Sequence, residues 1–194
     1  MAEQDDIRMV VRPPAGREAV EMVTSAGEWR LVETNEGEES AAYMVFRTWA
    51  PAPNLWLSMV EDSTTQACAL IVFGDDGELV ADLARRMSVF VPVMSREEVV
   101  AGPRAAQDPQ ERIPAVLRVA LAAGPEFDPE LFQVLTETAQ DPDPFVRNAA
   151  AWSMTYLEWP QSLDLLRQME SRDPDERVRQ SAHNLLNDFQ RGGS

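Results

Sequence analysis

Residues 141–154 read DPDPFVRNAAAWSM, and residues 173–186 read DPDERVRQSAHNLL. The two stretches share an opening Asp-Pro, the pairs Val146-Arg147 and Val178-Arg179, and the alanines Ala150 and Ala182. Each shared feature has a helical reason. Aspartate is a good N-cap, and proline fits the first turn, where an N–H has no intrahelical partner. Valine and alanine then recur on one face, and the small residues let neighbouring helices approach closely. A divergent third copy opens at Asp108 and reads DPQERIPAVLRVAL, with Ile113 in place of the valine and Pro114 in place of the arginine. Counted from Asp-Pro to Asp-Pro, the period is 33 and then 32 residues. A second helix is expected in each full repeat, over roughly 128–140 and 160–171, with Asp128-Pro129 and Pro160 marking the starts. Residues 108–191 therefore predict an all-α stack of two helix pairs plus one helix, joined to what precedes by a linker over 101–107.

The Asp-Pro, Val-Arg and alanine pattern at this period resembles the HEAT-like repeats of the bilin-lyase type, a short subclass, over about residues 104–191. The resemblance implies that Arg147 and Arg179 form an inter-repeat ladder with Asp141 and Asp173. It also implies a stack that works by protein–protein contact. By fold analogy alone, an alternative is an accessory factor or lyase-like enzyme acting on a chromophore or a modified protein.

The first 100 residues have another texture. Strand-like runs occur at 7–13, 29–34, 42–49, 54–60, 66–73 and 88–93, rich in β-branched and aromatic residues. Helical patterns occupy 16–27, where Ala19, Val20, Val23 and Ala26 share a face, and 74–87, with Asp75 as expected cap and Glu78 as its capping-box partner. The fold expected is a small α+β domain with a mostly antiparallel sheet over 1–100, followed by the all-α HEAT-like stack.

The charge narrows the choice of partners. The 194 residues carry 33 acids against 17 basic residues, a net charge of -16. A broad nucleic-acid surface needs clustered cations and is disfavoured. A basic protein partner is electrostatically suited, although acidity also serves solubility. All the basic residues are arginine. No apolar run reaches the roughly 18 residues of a membrane span. The opening MAEQDDIRMVV has acids where a secretory signal has basic residues, so a cytoplasmic location is expected.

Chemistry-bearing residues are sparse. Cys68 lies in an apolar run, which predicts a buried, inert thiol. His183 has no sequence partner that specifies a triad. The acidic loop Asp75-Asp76-Gly77-Glu78 lacks calcium-ligand spacing, and Glu33, Glu36, Glu38 and Glu39 read as a solvated loop or an acidic patch for a basic partner. No cofactor or metal is expected, and the chain is expected not to be an enzyme. In the second repeat Phe145, Trp152, Tyr156 and Trp159 would form one stripe on a continuous helix, either packed within the chain or offered as an interface hot spot. The function expected is that of a non-catalytic interaction module, such as an adaptor, accessory, inhibitor or immunity-type protein. Its partner would touch that stripe or the second helices near Gln133, Glu137, Asp164 and Gln168.

Overall fold

A computed structural model describes residues 5–35, 44–157 and 159–192, in two compact units divided between Ser95 and Arg96. Glu36, Glu38 and Glu39 of the acidic loop lie outside the described residues.

The first unit is the expected α+β fold. Its elements run β1 (Asp5–Val10), α1 (Gly16–Ala26), β2 (Arg30–Thr34), β3 (Met44–Ala52), β4 (Leu55–Asp62), β5 (Cys68–Gly74) and α2 (Gly77–Phe90). The strands form one antiparallel sheet in the order β1-β5-β4-β3-β2. Alternation decides the buried face. Leu55, Leu57 and Met59 of β4 point the same way as Cys68, Leu70 and Val72 of β5, and pack with Val20 of α1 and Val80, Leu83 and Met87 of α2. The intervening residues Trp56 and Phe73, opposite each other across β4 and β5, stack with ring centroids 5.5 Å apart on the other face. Pro53-Asn54 turns β3 into β4, with Asn54 in the left-handed region. Gly74 closes β5 against that turn, where a Cβ would lie 2.6 Å from the Asn54 carbonyl oxygen.

Two local expectations fail here. The cap of α2 is Asp76, not Asp75. Its carboxylate accepts the N–H groups of Glu78 and Leu79, so Glu78 is too close in sequence to complete a capping box. Residues 88–93 form no strand: α2 continues to Phe90, and Val93 makes only an isolated bridge to Val11. Pro92 has no N–H with which to extend a ladder.

The second unit is all helical: α3 (Arg96–Ala105), α4 (Pro109–Leu121), α5 (Pro129–Thr138), α6 (Pro144–Ser153), a 3₁₀ turn (Met154–Tyr156), α7 (Pro160–Arg172) and α8 (Glu176–Gly192). Four of the helices, α4 to α7, start on a proline at the first turn. Helices α4, α6 and α8 pack side by side as one layer, and α3 packs on both α4 and α5. The stack thus holds three helix pairs, α3/α4, α5/α6 and α7/α8, rather than two pairs plus one helix. The stretch 101–107, expected as a linker, lies largely within α3, whose Val99 and Pro103 are buried. Pro103 falls near the helix end, a place where proline read as a breaker. The core between the layers includes Val116, Val119, Leu135, Val146, Ala150, Met154, Leu166 and Ala182. Each large side chain buried there contributes roughly 1.5–3 kcal/mol. Among the described residues no helix is long and apolar enough to cross a membrane.

Candidate protein-binding surface

The turns between paired helices carry the repeat's polar logic, in a frame the Asp-Pro count alone misses. Asp108 caps α4 directly, accepting the Glu111 N–H at 2.9 Å. Before α6 and α8 the cap is the second aspartate of Asp-Pro-Asp. Asp143 accepts the Phe145 N–H at 2.7 Å, and Asp175 accepts the Arg177 N–H at 2.8 Å. Asp141 and Asp173 stand two residues earlier and brace the turn, accepting the N–H groups of Asp143 and Asp175, each at 2.9 Å.

Counting from the caps, the ladder arginines are Arg112, Arg147 and Arg179, each four residues into its repeat. Each donates to the carbonyl six residues back: Arg112 to Ala106 at 3.1 Å, Arg147 to Asp141 at 2.8 Å and Arg179 to Asp173 at 2.6 Å. The first repeat therefore keeps its arginine. Pro114 does not replace it, but falls two residues beyond it.

Two of these arginines then reach one repeat forward. Arg112 Nη1 meets Asp141 Oδ2 at 2.7 Å. Arg147 holds the Asp173 carboxylate through two parallel bonds, Nε to Oδ2 at 2.8 Å and Nη2 to Oδ1 at 2.9 Å. This second rung is buried, with Arg147 7 % and Asp173 8 % exposed. Burial opposes ionisation of Asp173, but the Arg147 hydrogen bonds, the Asp175 N–H and the guanidinium charge outweigh it and hold the carboxyl below the usual carboxylate range. The same hydrogen bonds raise Arg147. The expected ladder of Arg147 and Arg179 with Asp141 and Asp173 is thus staggered: Arg147 touches Asp141 through its backbone and Asp173 through its carboxylate. Among the described residues Arg179 reaches only the carbonyls of Asp173 and Pro174, at 2.6 and 3.2 Å.

The other layer, α3, α5 and α7, borders two furrows of unequal size. The furrow between α3 and α5 measures about 200 Å³ and is lined by Pro103, Arg104, Val134, Glu137 and Thr138 among others. Arg104 spans it, donating from Nε and Nη2 to Glu137 Oε2 at 2.9 and 2.7 Å. This pairing holds the Glu137 carboxyl below its ordinary range, with Gln133 adding a further hydrogen bond. Near the start of α5, Arg96 bridges both Asp128 and Glu130. Among the described residues no ion pair spans α5 and α7. The furrow there measures about 520 Å³. Leu165, Met169, Ala139 and Pro142 give it an apolar floor. Thr136, Gln140, Gln168 and Arg172 line it with polar groups. This size and this mix of apolar floor and few polar groups suit a bound segment.

The expected partner-contact residues separate. Gln168 lines the larger furrow. Glu137 lines the smaller one but is taken by Arg104. Gln133 bonds Glu137, and Asp164 pairs with Arg167 at 2.7 Å, both outside the larger furrow. Arg112, Thr136, Gln140, Met169 and Arg172 were not among the expected site residues. The regular spacing between caps was the signal for Arg112; the furrow residues had none, because each depends on how α5 and α7 face each other.

The aromatic stripe does not form. α6 stops at Ser153 and gives way to the 3₁₀ turn and an extended Leu157, while Pro160 disfavours helix at Trp159, which is extended as well (φ -82°, ψ 129°). Phe145 is 60 % exposed, with the Arg177 guanidinium 5.3 Å from its ring centroid. Trp152 and Tyr156 are half-buried. Trp159 is only 2 % exposed: Nε1 donates to the Gly124 carbonyl at 3.1 Å, and the ring meets Phe127 edge-on at 5.2 Å. It is a structural residue of the repeat junction.

Cys68 is buried, and burial first, then Glu61, pushes its thiol up to about 12 despite Arg17. At neutral pH this sulfur is no nucleophile. His183 is exposed, with Nδ1 2.7 Å from Glu170 and Nε2 3.0 Å from Asn187.

No curated protein and no solved structure matches the chain. A family model does match its helical part, over residues 102–187, and this interval runs from within α3 into α8, across all three caps and all three ladder arginines. By that match and by the paired-helix geometry, the second unit of this protein is built of HEAT repeats.

Proposed function

We propose that this protein acts by binding another protein, without catalysis, and that a segment of the partner lies in the furrow between α5 and α7. HEAT repeats are generally protein-interaction modules. The observation that carries the reading is the contrast between the two furrows. One is spanned by Arg104 and Glu137, whereas the other keeps an apolar floor and a polar rim. In that rim Arg172 makes no ion pair among the described residues, so it is available to a partner. The inert Cys68 thiol supports a role without covalent chemistry.

The net charge of -16 supports a partner that is basic overall, since complementary fields raise the rate of encounter. It equally opposes nucleic acid as the partner. Adaptor, accessory and inhibitor roles are all met by this arrangement, in a cytoplasmic setting.

The test uses the full-length tagged chain in its native host, with Gln140→Arg, Gln168→Arg and Arg172→Ala combined, which removes the free guanidinium and sets two cations against a basic partner. All three residues are exposed, so the fold and thermal midpoint are expected to persist. Recovery of the captured protein is expected to fall by about tenfold or more, a 1.4 kcal/mol loss. Recovery of the same protein in undiminished yield would place the contact elsewhere.

A further inference from the structure

The ladder ends on an arginine whose clamp is built but whose fork meets no carboxylate of this unit. Arg147 and Arg179 are equivalent residues. Each is held from behind by two carbonyls, those of Asp141 and Pro142 at 2.8 and 3.2 Å for Arg147, and those of Asp173 and Pro174 at 2.6 and 3.2 Å for Arg179. In Arg147 this leaves Nε and Nη2 to grip Asp173 in parallel. Among the described residues no group meets Nε or Nη2 of Arg179. The neighbouring acids do not compete, because Asp173 is held by Arg147 and Asp175 by Arg177.

A second observation bears on what can approach. Four and seven residues beyond the ladder arginine Arg147 stand Ala151 and Met154, both fully buried. At the same offsets from Arg179 stand His183, exposed and bonded to Glu170 and Asn187, and Leu186, only 7 % exposed. What this side leaves exposed is the polar pair His183 and Asn187, not the apolar surface that another stacked helix would cover. The Arg179 fork is therefore open to a ligand that arrives singly.

We propose that Arg179 is a docking site for one aspartate or glutamate side chain of a partner protein, gripped as Arg147 grips Asp173. The parallel fork is specific to arginine, since a lysine cannot offer two aligned donors. The carbonyl clamp fixes the guanidinium beforehand, which lowers the entropic cost of binding. This anchor lies outside the α5–α7 furrow and stands or falls independently of it.

The probe is acetyl-Asp-Pro-amide, a copy of the turn that Arg147 recognises, titrated into the full chain while the arginine Nε–H signals are followed by NMR. The Arg179 signal is expected to shift and saturate in the millimolar range. Acetyl-Asn-Pro-amide is expected to give no saturable shift, and Arg147 is expected not to respond. Arg179→Lys keeps the charge; read at the backbone N–H signals of Asp173 and Asp175, which saturate in step with the Arg179 signal in the unaltered chain, its response to acetyl-Asp-Pro-amide is expected to be lost with the thermal midpoint unchanged. Equal responses at Arg172 and Arg179, or to the asparagine analogue, would overturn the proposal. So would tighter binding of inorganic phosphate, or a shift that grows with protein concentration alone and names a second copy as occupant.

Discussion

Arg147 and Arg179 hold the same place in successive repeats and do different work. Arg147 is buried and saturated: all three of its guanidinium nitrogens donate to the turn behind or the carboxylate ahead. Arg179 keeps the rear bonds but, among the described residues, faces no carboxylate in front. One residue type, in one local geometry, is a structural pin in the middle of the stack and an open fork at its end. The difference comes from neighbours, so a motif read from sequence marks the arginine but not its role.

The comparison breaks most visibly at Asp173. Asp173→Ala leaves the Arg147 guanidinium buried without its partner, and is expected to cost about 3–5 kcal/mol in chemical denaturation. A loss below about 1 kcal/mol would mean the rung is solvated after all. Replacing both partners, as in Arg147→Met with Asp173→Leu, is expected to recover most of that loss, since a buried pair is often no better than apolar side chains of like volume. Failure to recover would show that the rung holds the turn by geometry, through the Asp175 N–H that Asp173 also accepts.

Arg112→Ala comes next. Its rung is half-buried, and loss of a charge-assisted hydrogen bond costs about 1.5–3 kcal/mol. Arg179→Ala is expected to cost less than about 1 kcal/mol, because no carboxylate is orphaned. A loss equal to that of Asp173→Ala would erase the distinction between the two arginines.

Acid sharpens the contrast further. The Asp173 carboxyl is held below its unfolded value of about 3.9. Its contribution is therefore complete above that value and is lost as pH falls through the folded one. Asp175 follows the same sign, lowered to about 2 by the Arg177 hydrogen bonds. Stability is expected to decline below about pH 4, and Asp173→Ala is expected to flatten that decline, as read by denaturation midpoints between pH 5 and 2. An unchanged acid slope in the variant would remove Asp173 from the account.

Much of the stack is legible in the chain, because its signals are local. Proline at the first helical turn marks α4 to α7, and the alanines of α6 announce close packing. The precise frame is not legible from Asp-Pro alone. Asp108 caps its helix while Asp141 and Asp173 brace a turn, and this two-residue change hid Arg112 behind Pro114. The extra helix α3 was obscured by Gly102 and Pro103, which read as a linker although Val99 and Pro103 are buried. The sheet's class follows from its β-branched and aromatic runs, but its strand order rests on pairings between distant residues such as Ile7 with Val72. The furrow is a tertiary product as well. Gln140 and Gln168 are unremarkable glutamines until α5 and α7 leave a gap between them.

The most direct test of that furrow as a receptor is site-specific photocrosslinking in the native host. A benzophenone side chain is placed at Gln168, within the furrow, or at Gln133, on α5 outside it. Binding in the furrow predicts one protein adduct from position 168, absent from position 133 and lost when Gln140 is replaced by arginine and Arg172 by alanine. An adduct from 133 without one from 168, or an adduct at 168 indifferent to those substitutions, would contradict it.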